Sequence, residues 1–155
     1  MLPVNTLTKP HDVSATGGLT GRVMVGRHFY FQDDEGLLIK SYPTKAKYQD
    51  IQLGHHWWES MDYAHRQSSL TVDQAVLSSD GAYYFILTKI DPGYSNWLDT
   101  EGFMRGVFLM RYDGLLGNTM AENLYPSARL VKFDDLPLFC RRMSRHYLPN
   151  KGKIS

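Results

Sequence analysis

The chain has 155 residues, 43% of them hydrophobic and 21% charged, which is the size and mix of one globular domain and excludes a disordered or collagen-like chain. With 17 Lys and Arg against 16 Asp and Glu the net charge is +1, which gives no electrostatic case for nucleic acid or for an anionic membrane. The longest apolar runs fall short of a membrane span.

Cys140 is the single cysteine and cannot form an internal disulfide. No basic stretch followed by an apolar one marks a secretory signal, so the expected location is the cytoplasm. Aromatic residues reach 13% and there are 13 glycines, a composition that leans toward a mainly β domain with many turns.

Residues 1–18 are polar, carry Pro3, Pro10, Gly17 and Gly18, and read as an extended N-terminal arm. Residues 19–133 read as a β-sandwich domain. Short strands are expected at residues 22–25, 28–31 and 37–42, the last two separated by the turn Asp33-Asp34-Glu35-Gly36 and the third closed by Pro43. Residues 47–53 form another strand, of ambiguous register. Residues 54–69, with His55, His56, Trp57, Trp58, Glu59, Asp62, His65 and Arg66, read as a short helix or a long loop.

Residues 72–77 and 82–90 are expected to pair as a hairpin about Asp80-Gly81, whose residues tolerate the left-handed backbone such turns require. The run Tyr83-Tyr84-Phe85-Ile86-Leu87 is apolar on both faces and belongs in the middle of a sheet. Residues 91–102 read as a loop broken by Pro92 and Gly93, residues 105–112 as a strand, residues 115–124 as one helical turn, and residues 128–133 as a last strand. Residues 134–148 are expected to form a C-terminal helix. Asp134 or Asp135 caps it, Phe139, Met143 and Tyr147 mark its apolar face, and Pro149 stops it ahead of a tail at 149–155.

Two segments concentrate chemistry. In residues 91–102, Asn96, Asp99 and Thr100 can bond backbone groups as a rigid corner. Alternatively, Trp97 stacks on a ligand that Asn96 and Asp99 orient. In residues 55–59, Trp57 and Trp58 can line a pocket beside Glu59, or one Trp can pack in the core. Neighbouring His55 and His56 cannot both point one way on a strand and match no helical zinc spacing, so no metal and no cofactor is expected. Glu59 and Asp62 would share a face only if the segment were helical. The acidic turn at 33–35 and the basic cluster Arg141, Arg142, Arg145 read as solvated surface, and Cys140 as an inert core residue. Nucleophile elbows and phosphate loops are missing.

The block Asp91-Pro92-Gly93, Asn96-Trp97-Leu98-Asp99-Thr100 and Gly102 resembles the signature of the bacterial domain-of-unknown-function family 1214. Asp33-Asp34-Glu35, Trp58-Glu59-Ser60, Asp62-Tyr63, Gln67-Ser68-Ser69-Leu70, Gln74-Ala75 and Asp80-Gly81 follow that family's order, and the resemblance covers residues 18–133. It implies a mainly antiparallel, jelly-roll-like β-sandwich that forms the C-terminal part of a longer protein. The chain is then either a stand-alone version or a fragment lacking an N-terminal partner domain. The family has no established reaction and supplies no catalytic residues. Gly36 stands where the family pattern has Ala, and Phe103 where it has His, which weakens an enzymatic reading.

The function expected is a soluble accessory or small-molecule binding module for an organic or carbohydrate-like ligand. Its site is expected at Trp57, Trp58, Glu59, Asn96, Trp97 and Asp99. The alternatives are a hydrolase or lyase using Asp99, Glu59 or His65 as acid or base, and a structural module that covers an apolar patch by homodimerisation.

Overall fold

The computed structural model describes residues 3–141 and residue 143. Nine strands are formed by these residues: β1 His11–Asp12, β2 Arg22–Tyr30, β3 Glu35–Ser41, β4 Tyr48–Gly54, β5 Ser69–Thr71, β6 Tyr83–Thr88, β7 Trp97–Asp99, β8 Arg105–Asp113 and β9 Ser127–Lys132. A short helix, α1, spans Leu136–Phe139. The strands build a five-stranded sheet in the order β1-β2-β8-β4-β5 and a four-stranded sheet in the order β7-β6-β3-β9. Every pairing between these strands is antiparallel except β6 with β7, so the molecule is mainly β, a sandwich with a C-terminal helix as the sequence leads one to expect, with one parallel pair at an edge.

Alternation along the strands places the core. Val23, Val25 and Phe29 of β2 lie beside Phe108, Met110 and Tyr112 of β8 and Ile51 and Leu53 of β4, all on one face of the first sheet. They meet Leu37 and Ile39 of β3, Phe85 and Leu87 of β6 and Leu98 of β7 from the second sheet. The other face of the second sheet carries Leu38, Ile86 and Val131, which are covered by Tyr94, Leu136 and Cys140 as a second, smaller cluster. Both faces of β6 are therefore buried, which is why its sequence shows no polar alternation. Cys140 is a core residue there.

Several expectations are corrected. The strands expected at 22–25 and 28–31 are one strand, β2, because Gly26 continues the ladder. A Cβ on Gly26 would lie 2.5 Å from the Phe108 carbonyl oxygen, so the glycine permits close strand approach rather than marking a turn. Residues 72–77 form turns, not the first strand of a hairpin. Gln74 Oε1 accepts from the Thr71 amide, and the side chain of Asn96 takes both backbone groups of Val76. A backbone so occupied has no ladder to join.

Residues 97–99, expected in a loop, are strand β7 beside β6. Residues 115–124 hold two short 3-10 turns, at Leu116–Asn118 and Glu122–Leu124. Among the described residues the C-terminal helix is one turn, preceded by a 3-10 turn at Phe133–Asp135, and Asp135 makes no side-chain cap bond. Phe139 and Met143 do pack on the second cluster. Tyr147, Pro149 and the tail lie outside the described residues.

The N-terminal arm follows β2. Val4 bridges His28, the Gly26 amide donates to Thr8 Oγ1, and β1 pairs with Val23 and Met24. Among the described residues no helix is long and apolar enough to cross a membrane.

Candidate functional site

The outer face of the first sheet presents His28, Val107, Gly54 and Gln52 side by side, because each lies opposite the inward residues of its strand. Beyond Gly54 the chain doubles back. Gly54 bridges Ser60, the His55 amide donates to the Glu59 carbonyl at 2.7 Å, and the Trp58 amide donates to the His55 carbonyl at 2.9 Å. Closing so short a turn requires a left-handed residue at its end, normally glycine, and Trp58 takes that place at φ 67°.

The result is a tip on which Trp57 is 80% and Trp58 56% exposed, so neither packs in the core. Rings hold the tip to the sheet. Trp58 stands edge-on to His28 at 5.6 Å, His28 lies 5.1 Å from His56, and His56 lies 5.1 Å from Trp57. Nδ1 of His56 is buried with no hydrogen-bond partner among the described residues. The cleft beneath Trp58, lined by Leu53, Gly54, Val107 and Leu109, has a volume of about 40 Å³, room for a few water molecules and not for an organic ligand.

Residues 61–68 dock this tip on the 91–102 segment. Glu101 accepts from the Asp62 amide at 2.6 Å and approaches His55 Nε2 at 3.8 Å, and Phe103 packs edge-on against His55. Gln67 donates to the carbonyls of Ser95 and Trp97, and Arg66 pairs with Asp99 at 3.0 Å. His65 bonds Asp62, and that bond holds the Asp62 carboxyl below its ordinary value.

The 91–102 segment itself is a corner held by its own side chains. Asn96 spends its amide on Val76, Trp97 Nε1 and the Thr100 hydroxyl both donate to the Thr88 carbonyl, and Asp99 accepts from the Glu101 amide as well as from Arg66. Of the residues named from sequence, Trp57, Trp58 and Glu59 share the exposed tip. Asn96, Trp97 and Asp99 stand behind it in the corner that anchors the loop. Glu59 is exposed on the tip, His65 is paired with Asp62, and Asp99 is paired with Arg66.

The acidic turn is a surface feature, with Asp33 paired to Lys89 and both Asp34 and Glu35 bonded to Lys132. Among the described residues no three His, Cys, Asp or Glu side chains gather as metal ligands. Sequence reasoning missed His28 and singled out Phe103 only as a departure from the family pattern. His28 sits on a distant strand, and only its outward place in the β2 alternation signals it.

The chain matches no family model and no curated protein. Among solved structures it is similar to an uncharacterised protein from Burkholderia cenocepacia. That likeness has a TM-score of 0.75 and 29% identity, and covers 86% of this chain and 36% of that one. It is also similar to the VPA0106 protein of Vibrio parahaemolyticus, with a TM-score of 0.50 and 13% identity over 70% of this chain and 31% of that one, a likeness of fold alone. The fold recurs inside longer proteins. The chain spans about a third of the length of both.

Proposed function

We propose that the chain is a ligand-binding β-sandwich module of the bacterial domain-of-unknown-function family 1214, and that it takes a carbohydrate-like or other flat organic molecule on the Trp57–Trp58 tip. The observation that carries this reading is Trp58 at φ 67° with most of its ring in solvent. A bulky residue in that conformation costs on the order of 1–3 kcal/mol, and exposing two indoles adds to the cost. Strain of this kind persists where the surroundings enforce it, and it gathers at ligand sites.

Because the cleft below is too small to enclose a ligand, the ligand lies across the ring faces, as a sugar lies on an indole. Trp57 and Trp58 supply the stacking surface, and Glu59 beside them supplies a hydroxyl acceptor. Asp99 serves as a positioning residue for the loop through Arg66, while Asn96 and Trp97 brace the corner behind it through Val76 and Thr88. The family assignment rests on the residues of the 91–102 block.

The test is titration of the tryptophan emission with cellohexaose, maltohexaose and chitohexaose, with calorimetry alongside. One of these sugars shifts the wild-type emission, and Trp57→Ala and Trp58→Gly each weaken its binding at least tenfold. Trp58→Gly keeps or raises the unfolding midpoint, since glycine relieves the backbone strain. An unchanged wild-type emission with all three sugars overturns the carbohydrate reading, and a shift that survives both substitutions overturns the Trp57–Trp58 tip as the site.

A further inference from the structure

The second sheet carries a different kind of surface, on the side of the sandwich away from the Trp tip. Lys40 of β3 faces Ser127 of β9, and Leu38 faces Arg129. Lys40 and Arg129 are therefore diagonal neighbours on the outer face, with Cβ atoms about 7 Å apart by ordinary sheet geometry. Two like charges so placed repel unless an acid answers them.

Among the described residues neither forms an ion pair with a carboxylate. The sequence holds no Asp or Glu after Asp135. What surrounds the two cations is aromatic. The Lys40 ammonium lies 5.3 Å from the Tyr42 ring centre and 5.5 Å from that of Tyr84, and the Arg129 guanidinium lies 4.4 Å from that of Phe139. The Tyr84 hydroxyl donates to Asp80, and the hydroxyls of Tyr42 and Tyr84 hold the Lys40 ammonium charged above its ordinary range.

These residues line a hollow of about 260 Å³, with Leu38 as its floor, Lys40, Arg129 and Ser127 as its polar groups, and Tyr84 and Phe139 as its walls. That volume is several times the cleft under Trp58 and sits just below the ~300 Å³ at which pockets begin to hold drug-sized molecules. It suits a single ring bearing one charged group.

We propose that this hollow is a binding site for a small organic carboxylate with a flat apolar body, its charge taken between Lys40 and Arg129 and its ring between Tyr84 and Phe139. Charge-assisted hydrogen bonds from an ammonium and a guanidinium are the strong kind, and the aromatic walls reward a planar body that a bare anion lacks. The site stands independently of the Trp tip and shares no residue with it.

The experiment titrates the full chain with sodium benzoate and, separately, with inorganic phosphate at matched ionic strength. It follows the backbone amide NMR signals and the heat of binding. Benzoate is expected to shift amides in β3, β6 and β9, phosphate to shift them at least tenfold more weakly, and Lys40→Met and Arg129→Gln each to weaken benzoate at least tenfold. Arg129 is exposed, so Arg129→Gln keeps the test open even if Lys40→Met does not fold. Equal response to benzoate and phosphate would reduce the site to general anion attraction and overturn the proposal. So would no benzoate response, or one that both variants keep.

Discussion

Tyr112 shows how one side chain sets a pH limit. It is fully buried between the sheets, its hydroxyl 3.2 Å from Ser41 Oγ, and burial pushes its phenol up to about 12. Above an ordinary phenol value near 10 the unfolded chain releases this proton while the folded chain keeps it, so stability falls as pH rises from about 10 toward 12. Tyr112→Phe is expected to flatten that alkaline loss in urea unfolding between pH 8 and 11.5. At pH 8 it costs about 1 kcal/mol through the Ser41 hydroxyl left behind. At this same scale part of the site was legible. Two adjacent tryptophans in a polar stretch cannot both reach a core, so Trp57 and Trp58 stand out in the sequence. The histidine that supports them does not, because His28 meets Trp58 through strand pairing, and pairing has no local spacing to read.

Among the elements, strands with clear alternation or continuous apolar runs were readable, and those whose partners are side chains were not. The strand at β8 and the double burial of β6 follow from sequence directly. Residues 72–77 look equally strand-like, yet the Asn96 amide, about twenty residues on, claims the Val76 backbone and no ladder forms. The same Asn96 lies just before β7, in a segment where Pro92 and Gly93 signal only a loop. Gly26 misleads in the opposite direction, since it looks like a break and is a contact. Gly26→Ala would drive a methyl group against the Phe108 carbonyl oxygen and a Leu109 methyl group at 2.6 Å, both on the paired strand. The substitution is expected to cost about 2–3 kcal/mol, read as a lower urea midpoint with an unchanged slope. Gly36 has a related role, because a Cβ there would meet the Thr88 side chain at 2.5 Å.

For the whole molecule, the burial pattern divides the protein into a sandwich core and a second cluster on the far side of β3, β6 and β9. The C-terminal residues 136–140 act as a third layer, and Leu136, 1% exposed, is the side chain that pins it. Leu136→Ala is expected to cost about 2–4 kcal/mol. Amide hydrogen exchange should then quicken first in β3, β6 and β9 while β2, β4 and β8 keep their protection, because β2, β4 and β8 contribute nothing to the second cluster. The extent of this layer was only partly legible, since the apolar period of four at Phe139 and Met143 gives the buried face but not the length of the helix. The position of β8 has a consequence for how the protein is made. This strand lies at the centre of the first sheet, between β2 and β4, yet it is the eighth of the nine strands among the described residues, and β9, the ninth, completes the other sheet. While the chain leaves the ribosome, β2 and β4 wait without their common partner until residue 113 has emerged, and each pairing then closes a long loop. Folding of this domain therefore waits for β8, and a nascent chain stopped before it is a set of apolar strand edges rather than a smaller version of the domain.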